Sequence, residues 1–162
     1  MSLLDIDERL IELVQLVTFD KSPFDDKKRF DSIVDIGYVE GGVSDENNVK
    51  TLRAFRDHCT ILVGVGACAI NGGVPALRNA VSLRECLATT YLSDGVEDAD
   101  HMIPRDDDLP RLLDRVYPVH EIVRVDYFLP GCPPSADAIW AGLLALIAGE
   151  VPDLPYQLLK YD

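Results

Sequence analysis

The chain has 162 residues, 28 acidic against 15 basic, for a formal net charge of −13, with 48% hydrophobic and 27% charged residues. A negative surplus of that size repels phosphate backbones and argues against nucleic acid as a partner, while the length and apolar content fit one globular domain, residues 1–162, with its own core. No apolar run approaches the ~20 residues a bilayer-spanning helix needs, and no basic stretch followed by an apolar one opens the chain, so it reads as soluble and cytoplasmic.

Leu3, Leu4, Ile6, Leu10, Leu13, Val14 and Val17 share one helical face, with Asp5, Asp7, Glu8 and Glu12 elsewhere, which predicts an amphipathic helix over 1–17. Residues 33–39 are a short apolar run that predicts a strand. The turn Glu40-Gly-Gly-Val-Ser44 follows, and then a helix through Val49, Leu52, Ala54 and Phe55, capped by Ser44. Residues 60–66 are nearly all apolar and rich in β-branched side chains, as in a parallel strand covered on both faces, and lead straight into a turn around Cys68. Ser82-Leu-Arg-Glu85 has capping-box spacing and opens a helix to about Leu92.

Residues 93–116 lose the pattern and concentrate Asp, Glu and Pro, which predicts a surface excursion with at most one short helix over 109–116. An acidic loop of this kind either faces a partner or is a solvated insertion. Residues 123–129 resume as a strand ending at a turn around Cys132. Ser135 then caps a helix through Ile139, Trp140, Leu143, Leu144 and Ile147 to Gly149, and the Pro-punctuated tail from 152 lies on a surface.

Alternating strands and helices define an α/β domain with a mainly parallel sheet, whose ligands sit beyond the carboxyl ends of the strands. Glu40, Cys68 and Cys132 each follow a predicted strand, so all three gather at one rim. A thiolate presented from a stiff, small-residue loop beyond a strand suits an iron–sulfur cluster, because glycines let backbone N–H groups approach the sulfurs. The cysteines at Val65-Gly-Ala-Cys-Ala-Ile-Asn-Gly-Gly73 and Leu129-Pro-Gly-Cys-Pro-Pro134 have that setting. The competing reading makes them small hydrophobes in tight turns. A cubane needs four thiolates, and Cys59, at the far end of the strand leading to Cys68, lies roughly 20 Å or more away at ~3.3 Å per residue. Cys59 therefore reads as a core thiol, and so does Cys86 within a helix.

Glu40 is either a turn carboxylate or a proton-relay or interface group near the rim. His120 and Glu121, adjacent on an expected strand, point to opposite faces, and neither His58 nor His101 has a partner at metal-ligand spacing. Gly64 and Gly66 are not followed by a third glycine at dinucleotide spacing, since Ala69 stands there, which disfavours direct NAD binding.

The segments Leu3-Leu-Asp-Ile-Asp-Glu-Arg-Leu10, Val39-Glu-Gly-Gly-Val-Ser44, Val65-Gly-Ala-Cys-Ala69 with Gly72-Gly-Val-Pro-Ala76, Val116-Tyr-Pro-Val-His-Glu121 and Asp126-Tyr-Phe-Leu-Pro-Gly-Cys-Pro-Pro134 run in order over nearly the whole chain. Together they resemble the small (delta) subunit of soluble NAD-reducing bidirectional [NiFe] hydrogenases. More broadly they resemble the superfamily of the 20 kDa subunit of NADH:quinone oxidoreductase. The resemblance implies a flavodoxin-like three-layer domain with one [4Fe-4S] cluster, ligated in part by Cys68 and Cys132. Such a chain relays electrons between a Ni–Fe large subunit and flavin/NAD diaphorase subunits, and itself holds no Ni, NAD site or catalytic acid or base.

Relatives also carry a first strand followed by a Cys-x-x-Cys turn, which supplies the other two ligands just ahead of the helix that opens this chain. Neither is present, so two further cysteine ligands are expected upstream of Met1, with Met1 matching an internal methionine. In a flavodoxin-like order the first strand is central, and its absence predicts an open slot in the sheet. Two other readings stay open: a 20 kDa-type cluster subunit of a respiratory or ferredoxin-linked oxidoreductase, and a cluster-less flavodoxin-like scaffold or FMN binder. Against FMN, no Ser/Thr/Gly-rich phosphate loop is visible.

Overall fold

The computed structural model describes residues 2–22, 30, 32–92 and 102–159. In chain order the elements are a 3₁₀ helix at Ser2–Ile6, α1 (Arg9–Leu16), β1 (Val34–Glu40), β2 (Val43–Asp45), α2 (Glu46–His58), β3 (Cys59–Val65) and α3 (Gly66–Asn71). A 3₁₀ helix at Val74–Ala80, α4 (Leu83–Tyr91), β4 (Leu112–Tyr117), a 3₁₀ turn at Val119–Glu121, β5 (Tyr127–Leu129), α5 (Ala136–Ile147) and a 3₁₀ turn at Tyr156–Leu158 complete it.

The main sheet is parallel in the order β1-β3-β5, and β2 and β4 form a separate antiparallel pair. Side chains alternate across β3, so its two faces feed two cores. Val63 and Val65 pack with Ile6, Leu13, Leu129, Ile139, Leu143 and Leu146, which places the N-terminal helices and α5 on one face. Leu62 and Cys59 pack with Val43, Leu52, Ala69 and Val119, which places α2 and α3 on the other. Helices on both faces of a mainly parallel sheet make the three-layer flavodoxin-like domain the sequence leads one to expect. Full burial of Leu13, Leu62 and Ile139 stabilises this arrangement by ~1.5–3 kcal/mol each.

Capping follows side-chain chemistry, with one correction. Ser82 and Ser135 accept hydrogen bonds from the N–H groups of Glu85 and Ala138 and open α4 and α5 as expected. The cap of α2 is Asp45 rather than Ser44: its carboxylate accepts the Asn48 N–H at 2.7 Å, while Ser44 spends its own N–H and hydroxyl on the Asn48 side chain.

Other expectations change in the tertiary context. The helix expected over 1–17 is two pieces, broken at Asp7, whose φ of 51° no helix accommodates. The helix expected over 109–116 is strand β4, held at its edge by Asn79, whose amide donates to the Val116 carbonyl at 2.9 Å and accepts the Val116 N–H at 2.8 Å. The strand expected over 123–129 is reduced to Tyr127–Leu129. His120 and Glu121 lie in a 3₁₀ turn, so the opposite-face argument does not apply; the His120 ring packs edge-on against Phe128. Residues 93–101, with His101, fall outside the described part. The tail is not merely superficial, since Leu154 and Leu158 pack against the α5-side core.

The expected slot in the sheet is absent between its strands. β1 pairs directly with β3 from Val34↔Cys59 to Glu40↔Val65, because the apolar faces of both strands and Gly37, fitted over the Cys59 sulfur, allow continuous pairing. Among the described residues β1 is an edge strand of that sheet.

Candidate functional site

Register sets the rim. Glu40 pairs with Val65, and Val65 with Leu129, so the three strands end level. Cys68 and Cys132 each stand three residues beyond such an end, Cys68 in α3 and Cys132 in the Pro-Gly-Cys-Pro-Pro turn. The two turns are joined by the Ala67 N–H, which donates to the Gly131 carbonyl at 2.8 Å. Cys68 is half-buried and Cys132 exposed, and both are free thiols. The peptide bond between Cys132 and Pro133 is cis.

Both turns are built where a side chain would not fit. A Cβ on Gly131 would run into Pro134 Cα, and one on Gly73 would lie 2.7 Å from Cys68 Sγ. Gly73 has φ 51° and Gly131 φ 143°, both in the region L side chains avoid. The chain is pinned there from several sides: Gly72 N–H donates to the Cys68 carbonyl at 3.1 Å, Gly73 N–H donates to Asn71 Oδ1 at 2.9 Å, and Ala76 N–H reaches the Gly72 and Gly73 carbonyls. On the other side a Cβ on Gly42, in the turn after Glu40, would come within 2.8 Å of Val116 and 3.4 Å of the Cys68 carbonyl. Glu40 thus borders the same rim, two residues before a glycine-thin approach to the Cys68 turn.

The remaining cysteines are placed elsewhere. Cys59 is buried at the opposite end of β3; burial pushes its thiol up, with the nearby Arg56 guanidinium opposing. Cys86 lies in α4 as expected but is half-buried, not enclosed in the core. His58 stacks on Phe30, and its Nδ1 lies 2.8 Å from the Ala54 carbonyl. No group of three or more His, Cys, Asp or Glu side chains gathers at metal-binding distance among the described residues.

Sequence reasoning missed Asp126, which ties together the two strands, β3 and β5, that lead into the cysteine turns. Its carboxylate accepts the Leu62 N–H at 2.9 Å and the Arg56 guanidinium, while its own N–H donates to the Leu62 carbonyl at 2.9 Å. Arg56 also donates to the Cys59 and Thr60 carbonyls, tying the end of α2 to β3. Desolvation raises the Asp126 carboxyl, but the Leu62 N–H and Arg56 outweigh it and hold the group below the usual aspartate value. The only sequence signal was an acid interrupting an apolar run. On the α5 face a cavity of about 440 Å³ is lined by Tyr38, Val63, Tyr127, Leu129, Leu146 and Leu154. Burial raises the Tyr38 phenol well above its ordinary value, so this hydroxyl stays protonated at neutral pH.

The sequence match gives the class directly: the chain belongs to the NADH ubiquinone oxidoreductase, 20 Kd subunit family, whose pattern it follows over residues 1–146. It is 48% identical to the NAD-reducing hydrogenase HoxS subunit delta of Cupriavidus necator, across 100% of this chain and 78% of that protein. It is 30% identical to a subunit of the F420-non-reducing hydrogenase of Methanothermobacter thermautotrophicus, across 96% of this chain and 51% of that protein, and so spans about half the length of that relative. The fold is similar to a chain in the crystal structure of an NAD+-reducing [NiFe]-hydrogenase in the H2-reduced state, with a TM-score of 0.94 and 49% identity over 100% of this chain and 90% of that one. Among the described residues no helix is long and apolar enough to cross a membrane.

Proposed function

We propose that this chain is the electron-transfer subunit of a cytoplasmic hydrogenase of the NAD-reducing [NiFe] type, working between a Ni–Fe large subunit and flavin/NAD diaphorase subunits. The observation that carries the reading is the likeness to the NAD-reducing hydrogenase chains, 48% and 49% identical across all of this sequence. The chain is then part of an oxidoreductase without containing its catalytic centre.

The cofactor in this reading is one [4Fe-4S] cluster, with Cys68 and Cys132 as two ligands and two further cysteines from outside the 162 residues. The residues present fit such a group in three respects. The donors are thiols, the ligands by which proteins ordinarily hold iron–sulfur clusters. They stand on register-matched strand ends joined by the Ala67–Gly131 hydrogen bond. The loops around them are glycine-thin, so polypeptide can close on an inorganic core. A relative from Archaeoglobus profundus, 30% identical, is named as an iron-sulfur component of its hydrogenase. The cluster supplies a one-electron relay when bound. The chain's own part is to hold two sulfurs at a common rim, keep side chains out of the turns and present Glu40 beside them as an interface or proton-relay carboxylate.

The test is Cys132→Ser and Cys59→Ser in the assembled complex, read by iron and acid-labile sulfide content and by the reduced-state paramagnetic spectrum. Cys132→Ser removes or converts one cluster signal, and Cys59→Ser, with its thiol buried 5% exposed in the far end of β3, leaves all of them. Equal loss in both variants, or loss in neither, overturns the assignment.

A further inference from the structure

Gly73, the second of the two glycines after Cys68, is placed as a wall against the sulfur, a role beyond that of a turn. The Gly73 backbone lies so close to Cys68 that an added Cβ would stand 2.7 Å from Sγ, 3.0 Å from Cα and 3.1 Å from the amide nitrogen. Ordinary non-bonded contacts settle at ~3.5–4.0 Å, so a methyl group there displaces the sulfur or the turn by roughly 1 Å. The wall does not yield easily. Asn71 Oδ1 holds the Gly73 N–H at 2.9 Å, the Gly72 N–H is tied to the Cys68 carbonyl at 3.1 Å, and the carbonyls of both glycines accept from Ala76. With its N–H bonded to Asn71, Gly73 faces the thiol through the space that an added Cβ would fill.

We infer that Gly73 is a positioning residue that fixes the direction of the Cys68 sulfur, and that Asn71 holds Gly73 in place for that purpose. This rests on the ligand role of Cys68 proposed above and adds which neighbour sets the geometry of that ligand. Glycine is needed for two reasons, a backbone at φ 51° and ψ −148° that only glycine adopts readily, and the absence of a Cβ. Gly149 separates them: its φ is 74°, and an added Cβ meets nothing within 4 Å. Alanine and asparagine both place a Cβ at Gly73, and at its φ of 51° and ψ of −148°, outside the αL well that asparagine tolerates, both also strain the backbone.

The experiment compares Gly73→Ala, Gly73→Asn, Gly149→Ala and Cys68→Ser in the assembled complex, following the paramagnetic signal that Cys68→Ser removes. Both Gly73 variants are expected to shift the g-values of that signal or reduce its intensity at least twofold, with subunit assembly intact, while Gly149→Ala leaves it as in the wild type. An unchanged signal in both Gly73 variants overturns the inference. So does an equal change in Gly149→Ala, which would make the effect one of backbone strain, and so does loss of assembly in both Gly73 variants, since the disturbance is confined to one sulfur. If Cys68→Ser leaves every signal in place, the ligand role itself fails, an outcome distinct from failure of Gly73 alone.

Discussion

Replacing Asp126 by asparagine tests how β3 and β5, the strands that lead into the cysteine turns, are kept in step. The substitution preserves shape and keeps an oxygen facing Leu62 and Arg56, but removes the charge. Hydrogen bonds to charged groups contribute ~1.5–3 kcal/mol and neutral ones ~0.5–1.5 kcal/mol, so each of the two bonds loses about 1 kcal/mol. The side chains of Arg56 and Asp126 are only 21% and 19% exposed, so water screens the pair little, and the expected cost is ~2 kcal/mol. For a chain of this length that lowers Tm by roughly 4–8 °C.

The pH dependence gives the sharper check. The carboxyl titrates below its ordinary value of ~3.9 in the folded chain, so its contribution is complete above that value and disappears as pH falls through the folded-state pKa. Thermal unfolding followed by circular dichroism should show the full gap between wild type and Asp126→Asn from neutral pH down to about pH 5, narrowing below it. A gap under about 1 °C at pH 7, or one that persists undiminished at about pH 2, refutes the reasoning. Because this clamp sets the Val63↔Tyr127 register, its loss should also weaken iron retention in the assembled complex.

Two further substitutions probe the frame. At Gly37 an added Cβ would meet Cys59 Sγ at under 3 Å, so Gly37→Ala should destabilise by ~1–3 kcal/mol. Cys59→Ala in the same chain should recover at least ~0.5 kcal/mol of it in a denaturant double-mutant cycle, and strict additivity would show that the two do not touch. Asn79→Ala removes both bonds to the Val116 backbone and should cost ~1–3 kcal/mol, with faster hydrogen exchange at the Val116 amide; unchanged exchange would show that the β4 edge is held otherwise.

Local chemistry made much of this protein readable before any coordinates. The apolar run into Cys68 is a buried parallel strand because its composition suits burial on both faces, and Ser82 and Ser135 cap helices because a hydroxyl at that spacing reaches an orphan N–H. The separation of Cys59 from Cys68 follows from strand length alone. Residues 112–117 were not readable, because Leu112–Tyr117 is a strand only by pairing with β2 and with the Asn79 side chain, partners more than thirty residues away in sequence. Ser44 and Asp45 both have cap chemistry, and the choice fell to Asp45 because Asn48 engages Ser44.

The site divides the same way. That two thiols stand in glycine-rich turns after strands is a property of residue order. That the turns stand level, joined through Ala67 and Gly131, depends on register, and register is set across the sheet by β1 and β5 pairing to β3 and by Asp126 bridging Leu62 and Arg56. Which glycine faces which sulfur, Gly37 over Cys59 and Gly73 over Cys68, is decided by tenths of an ångström in the folded chain. A linear pattern marks Gly73 as a turn residue, and only the packed chain sets it against Cys68.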